Sequence, residues 1–439
     1  MLKKQTKEEE YIINENPEIS IGENPGWIKS LAGAFPALNS SNFKLYFSGQ
    51  LVSMIGTWMQ IVAQSWLILQ LTNSVFLIGL VMALSTLPTL LFTLFGGVIV
   101  DRFPKKNILL FTQICAMILA FMLGILTLFE WIELWEICAI SFLLGTVNAI
   151  DAPARQAFVS ELVNKEQLPS AIALNSGVFN TARVIGPGIA GIMIAWVGTG
   201  GAFLLNSFSY VAVILALRFI RVDQVVLKSM SNPFIAIREG ISYSFSHPII
   251  RTLLITIAFV SVFGWSYTTV LPVIAKNEFH LDAAGLGYLY MVTGAGSLLA
   301  TILVSVLSKK ISPVIFIIGG TIVFALSIIL FSYTKDVAHA SVLLFFSGLG
   351  LLSFAATSNS IIQTLVKNEY RGRVMSIYVL MFIGLTPIGN FQIGLVSEHM
   401  GTAFALRAGA CIVLVAGLVV FYFKNRIIAE HREYKKRQL

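Results

Sequence analysis

Charge is the scarcest property of this chain. Of its 439 residues only 12% are Asp, Glu, Lys or Arg, against 56% that are hydrophobic; an ordinary soluble protein carries about twice that charged share. A water-soluble fold of this length would lack the polar side chains to cover its surface, so the solvent for most of the chain is hydrocarbon. Cysteine is nearly missing. Cys115, Cys138 and Cys411 each lie inside an apolar run, which excludes a disulfide framework or a Cys/His metal spacing and leaves them as small buried hydrophobes. The histidines, at 247, 280, 339, 399 and 431, stand singly, so no metal-ligand or nucleophile constellation arises. No glycine-rich loop followed by Lys-Ser or Lys-Thr occurs, which removes a Walker-type ATP site. Enzyme chemistry and cofactor signatures are both lacking. The net charge of +8 forms no nucleic-acid patch, because the basic residues punctuate the apolar runs as juxtamembrane charges do.

What is present is long apolar runs. Backbone polar groups inside a bilayer need internal partners, so a spanning segment is a helix or a closed barrel. Runs of about twenty residues indicate helices, whereas barrel strands alternate over about ten. Twelve runs stand out, roughly 43–70, 75–100, 107–129, 134–153, 168–196, 201–220, 249–275, 283–308, 312–332, 338–358, 372–397 and 401–424. With the amino terminus inside, the inner connections hold Arg102, Lys105, Lys106, Arg155, Lys165, Arg221, Lys228, Arg238, Lys309, Lys310, Lys367, Arg371 and Arg373, and the outer ones only Lys276 and Lys335. That asymmetry follows the positive-inside rule and puts both termini in the cytoplasm. The expectation is an all-α polytopic membrane protein of twelve helices in two six-helix bundles, 42–221 and 249–424. A disordered tail over 1–41, a linker over 222–248 with a short surface helix around Phe234–Phe245, and a basic tail over 425–439 complete it.

A displacement of 203 residues superposes landmarks of the two halves: Gly145 on Gly348, Leu162-Val163 on Leu365-Val366, Glu166 on Glu369, Gly186 on Gly389 and Gly191 on Gly394. Two similarly oriented halves related by an axis along the membrane normal have this signature, with a substrate path between them near the midplane.

The connection after the second run reads Gly97-Val-Ile-Val-Asp101-Arg102-Phe-Pro104-Lys105-Lys106. It resembles the signature of the major facilitator superfamily between spans two and three, with Pro104 in place of the usual glycine and lysines for arginines. Further on, Asn148-Ala-Ile-Asp151-Ala-Pro153-Ala-Arg155-Gln156-Ala-Phe158, Ala171-Ile-Ala-Leu174-Asn175-Ser, Asn180-Thr-Ala-Arg183-Val-Ile-Gly186-Pro187 and Arg371-Gly372-Arg373-Val-Met375-Ser-Ile-Tyr378 together resemble the exporter branch with enterobactin-type siderophore exporters and macrolide efflux proteins. Span five is also similar to the antiporter motif, in which small residues precede Gly-Pro. The resemblance implies a monomeric, proton-driven exporter of a small organic molecule, a siderophore or drug-like compound, in a bacterial inner membrane. A lipid flippase on the same scaffold and a uniporter stay open as alternatives.

Site residues follow from cost and chemistry. Arg183, midway along a run, needs the interior or a watery cavity and a partner, either Asp151 or an anionic substrate. Gln60 and Gln64 share a helix face, and with Trp58, Asn148, Asn175, Asn180, Trp265, Tyr267, Asn359, Asn390 and Gln392 they are candidates to line a cavity of amides and aromatics, the alternative being interhelical glue. Asp151 is the candidate proton carrier. By the resemblance, Asp101 latches on the start of span eleven near Arg371–Met375 and Arg102 engages Asp151 when the cytoplasmic side is closed. Gly97, Arg155, Gly186, Pro187, Arg371 and Arg373 complete the expected gating set.

Overall fold

The computed structural model describes residues 35–222, 233–308 and 310–429. The expected disorder before residue 35, and Lys228, Lys309, Arg432, Lys435, Lys436 and Arg437, lie outside them. Among the described residues the regular structure is all helical. The first half holds α1 (Ser41–Thr72), α2 (Val75–Arg102), α3 (Lys105–Leu128), α4 (Leu134–Val159) and the segment Leu168–Phe219. That segment has 52 residues and a non-helical Gly198 at φ 71°, ψ 177°. Straight, it would measure about 78 Å at ~1.5 Å per residue, far beyond a hydrocarbon thickness of about 30 Å. We call its arms α5 (168–197) and α6 (199–219). After a surface helix α7 (Pro233–Ser246) the second half holds α8 (Pro248–Asn277), α9 (Ala283–Leu307), α10 (Pro313–Phe331), α11 (Val337–Leu365), α12 (Glu369–Met400) and α13 (Thr402–Tyr422). Taken as one, the 52-residue segment makes eleven helices long and apolar enough to cross a membrane among the described residues; its two arms taken separately make twelve.

Helix starts are written locally. Ser40 Oγ accepts from Phe43 N, Ser74 Oγ from Leu77 N, Asp282 from Gly285 N and Asp336 from His339 N, each satisfying an orphan amide of a first turn. Ordered structure begins ahead of the expected boundary at residue 42. Pro36–Asn39 form a 3-10 turn, and Ser40 Oγ donates to Leu162 O at 2.7 Å.

The internal repeat has a three-dimensional counterpart. The corner at Gly198 recurs at Gly401, φ 86°, ending α12; the two glycines are 203 residues apart, and positive φ at both explains why neither carries a side chain. A Cβ on Gly145 would strike Ser85 O of α2, and one on Gly348 would strike Thr293 O of α9. Gly186 sits against Ile55 O of α1, and Gly389 against Val262 O of α8. Each half thus packs its fourth helix on its second and its fifth on its first through matched glycines, the close approach that small residues allow.

α7 joins the second half. Glu239 pairs with Arg373, the Tyr243 and Tyr370 rings stack with centroids 4.5 Å apart, and Lys367 N donates to Tyr243 Oη at 3.3 Å.

Candidate functional site between the two halves

The halves meet on two helix pairs, α2 with α12 and α5 with α9. Both pairs close at the end poor in Lys and Arg. A Cβ on Gly79 would lie 2.9 Å from Gly394 Cα, and one on Gly191 2.6 Å from Ala284 Cα. The Phe76 and Phe391 rings meet edge to face at 5.7 Å. Glu398 of α12 accepts from Ser74 Oγ at 3.1 Å and Phe76 N at 3.0 Å, so its carboxylate caps the first turn of α2, where the helix dipole favours negative charge. Lys276 Nζ donates to Asn73 Oδ1 at 3.4 Å. Toward the basic end the contacts stop. A Cβ on Gly97 of α2, Gly177 of α5 or Gly372 of α12 would meet nothing within 4 Å. Asp101 and Arg102 are exposed, and neither makes an ion pair or hydrogen bond with a described residue.

Where the closed part ends, near the middle of the helices, lies Arg183. A Cβ on Gly294 of α9 would be 3.3 Å from Arg183 O. The Arg183 Nε is buried without a hydrogen-bond partner, and the guanidinium interacts electrostatically with Tyr267 of the other half. Tyr267 is buried, with its hydroxyl 3.4 Å from Ser347 Oγ. One turn from Arg183 on α5, the exposed Phe179 ring packs edge to face on Trp58 at 5.8 Å. Asn180 donates to Ser176 O on its own helix at 2.9 Å, and Asn175 is half-buried. Gly186 and Pro187 are buried; Pro187 O packs on Gly287 of α9.

At the same level the second half departs from α geometry twice. Val260–Trp265 of α8 and Leu380–Gly384 of α12 are π-turns, single-turn irregularities that are frequent at functional sites. They touch: Ser261 Oγ donates to Phe382 O at 2.8 Å, and Trp265 meets the Phe382 ring at 5.6 Å. Tyr378 stacks on Phe382 at 5.9 Å and donates from its hydroxyl to Ala355 O at 3.3 Å, while Asn359 accepts from Gln363 on its own helix. Nothing in the residue pattern marks these turns.

Several polar residues turn away from this level. Gln60 accepts from Asn206 of α6 and Gln64 donates to Ser141 of α4 at 2.9 Å, all buried within the first half. Asn390 accepts from Thr269 at 3.0 Å within the second half. Asn148 is exposed and Gln392 half-buried, neither with a hydrogen bond to a described residue.

Asp151 is 1% exposed and fully engaged. It pairs with Arg155 one turn along α4 and accepts from Thr112 Oγ1 at 2.7 Å and Gln113 Nε2 at 2.9 Å. The expected pairing of Asp151 with Arg183 is therefore corrected: Arg155, four residues away on the same helix face, takes the carboxylate. Thr112 and Gln113 are further members that sequence reasoning missed. With the basic end open, Arg102 does not reach Asp151. Arg371 is half-buried with its Nε unpartnered, and Arg373, besides Glu239, lies 5.5 Å over the Tyr370 ring.

The overall shape is shared with solved transporters. The structure of a POT family transporter in complex with 5-aminolevulinic acid matches at TM-score 0.72 and 14% identity, covering 88% of this chain and 96% of that one; this is a likeness of fold. In sequence, the chain is 26% identical over 390 residues to the Staphyloferrin A transporter of Staphylococcus aureus, covering 87% of this chain and 96% of the relative. It is 23% identical over 379 residues to the Multidrug efflux pump Tap of Mycolicibacterium fortuitum, covering 84% and 92%. Residues 32–437 match the family described as transmembrane secretion effectors, and the chain belongs to that family, within the major facilitator superfamily of multi-pass membrane transporters.

Proposed function

We propose that the chain exports a small organic molecule, a siderophore or drug-like compound, by secondary active transport with alternating access to a central site. The observation that carries this reading is the one-ended closure of the interface. α2 meets α12 and α5 meets α9 through glycines at the end poor in basic residues, while Gly97, Gly177 and Gly372 face open space at the other. A structure closed at one gate and open at the other is one state of a two-state cycle. In this reading twelve spans bring both termini to the cytoplasm of a bacterial inner membrane, so the open end is cytoplasmic. The relatives support this reading: one is a multidrug efflux pump, which speaks for export, and another is a transporter of staphyloferrin A.

The substrate rests between Trp58, Phe179, Asn175, Asn180 and Arg183 on one side and Trp265, Tyr267 and Asn359 on the other. Asp101 and Arg102, without a partner among the described residues, engage the start of α12 and the α4 carboxylate when the cytoplasmic end closes. Arg102 then competes with Arg155 for Asp151, and a proton on Asp151 releases both. A strain lacking the gene, carrying either wild type or Asp101→Ala, and grown on a siderophore and antibiotic panel tests the reading. Wild type raises tolerance or extracellular siderophore for at least one compound and Asp101→Ala does not. Equal behaviour of the empty strain and the wild-type strain across the panel would overturn it.

A further inference from the structure

Arg183 combines three features. It lies midway along a spanning helix, its Nε is buried, and its guanidinium makes no hydrogen bond or ion pair with a described residue. Its terminal nitrogens are not enclosed as Nε is. A charge at that depth is held only where something compensates it. Arg155, by contrast, has Asp151, and Arg407 has Ala403 O and the Tyr333 ring.

Among the described residues Arg183 has no counterion. The described spanning helices carry five acidic residues, Asp101, Glu136, Asp151, Glu369 and Glu398. All but Asp151 stand within the first or last three residues of a helix. Asp151 is enclosed by Arg155, Thr112 and Gln113. On the second half, the buried Tyr267 lies near enough to act on the Arg183 charge, and its hydroxyl is 3.4 Å from Ser347 Oγ. Both hydroxyls are neutral and do not balance the arginine; Ser347 Oγ already donates to Leu344 O at 2.7 Å, which leaves the Tyr267 hydroxyl as the donor on that side. Four residues before Arg183, hence on the same face of α5, stands Phe179, 47% exposed, with its ring against Trp58.

We infer that Arg183 is the anchor for an acidic group on the transported molecule, a carboxylate attached to a flat organic body. The guanidinium fork matches a carboxylate with two parallel hydrogen bonds, Tyr267 supplies a donor from the opposite half, and the Phe179–Trp58 pair supplies an apolar face. Because the partners belong to different halves, an acid bound there touches both. The assignment rests on the transport reading above and narrows it to acids.

The test uses the full chain in phosphatidylcholine nanodiscs, whose lipid has no net charge. Equilibrium dialysis measures binding of 2-naphthoate, 2-naphthamide and 2-naphthylmethylammonium, three charge states on one ring system. Wild type binds the naphthoate at least about tenfold more tightly than the amide, a difference of about 1.4 kcal/mol, and the ammonium most weakly. In Arg183→Gln the ratio falls to about one, and Arg183→Lys, which keeps the charge but loses the fork, lies between. Melting temperature confirms that both variants fold, and the ratio is a readout that loss of packing alone would not move. Equal binding of the three probes by wild type, no binding of any, or an unchanged ratio in Arg183→Gln would overturn the assignment. Charge discrimination in a protein that exports nothing on the panel would sink the transport reading alone; export without discrimination would sink this one alone.

Discussion

Gly79 and Gly394 lie backbone to backbone across the interface between the halves: a Cβ built on either would come within 3.0 Å of the other's Cα. No side chain fits between them while that end is closed. Gly79→Val should therefore act on the state. Overpacking costs about 1–3 kcal/mol, and here the cost falls on one conformation, which shifts the equilibrium about 5- to 150-fold toward the form open at this end. Met82→Cys, one turn deeper on α2, reports it. Labelling by a membrane-impermeant maleimide added from that side rises in the Gly79→Val background and transport falls. Unchanged labelling would mean that these glycines do not set the gate.

Glu398 is the second element of the same closure, capping α2 from α12 through Ser74 Oγ and Phe76 N. Glu398→Gln keeps the shape and removes the charge that the helix start favours, a loss of about 0.3–1 kcal/mol. The expected result is a two- to fivefold rise in labelling of Met82→Cys, smaller than that from Gly79→Val. A larger effect from Glu398→Gln than from Gly79→Val would reverse the order of importance argued here.

Asp101 behaves in the opposite sense. It is exposed and engages no described residue, so Asp101→Ala should leave the melting temperature of the purified resting protein unchanged, as a surface substitution within about ±0.5 kcal/mol would. Transport falls nonetheless, because the contact it removes forms only when the basic end shuts. Wild-type transport rates in Asp101→Ala, with intact expression, would defeat the latch.

The pair of Asp151 and Arg155 bears on stability as well as on the gate. Asp151→Ala strands Arg155 beside Tyr46 and Tyr210, and losing one member of a buried pair costs about 3–5 kcal/mol. The double variant Asp151→Asn with Arg155→Met removes both charges and should melt above Asp151→Ala. The comparison is made by thermal unfolding in detergent. A double variant less stable than Asp151→Ala would show that the pair stabilises the bundle beyond neutralising itself.

Much of this architecture is legible in the residues because hydrocarbon imposes one requirement on every span. The runs at 168–196 and 201–220 fall on either side of Gly198, and the expected surface helix around Phe234–Phe245 lies inside Pro233–Ser246. The fourth run was expected to end at 153, yet α4 continues to Val159 with Pro153 inside it: a proline removes one hydrogen bond without ending a helix held by its neighbours. For the site, cost was readable and direction was not. A charge in mid-span marks Arg183, but a shared helix face for Gln60 and Gln64 does not say which neighbour that face meets, and it meets α4 and α6. The four-residue spacing of Asp151 and Arg155 was the available sign that Asp151 was already taken. The π-turns at Val260–Trp265 and Leu380–Gly384 leave no such sign, since one extra residue in a helical turn alters neither composition nor apolar content.

The central claim is that the two ends of the interface open and close in antiphase around Arg183. Two spin-label pairs measure it, Asn73→Cys with Lys276→Cys at one end and Asp101→Cys with Arg371→Cys at the other, with Cys115, Cys138 and Cys411 replaced by serine. In nanodiscs at rest the account predicts a short distance for the first pair and a long one for the second, and a reversal of both in the Gly79→Val background. Distances that lengthen together, or a first pair that stays short while the second closes, would contradict it.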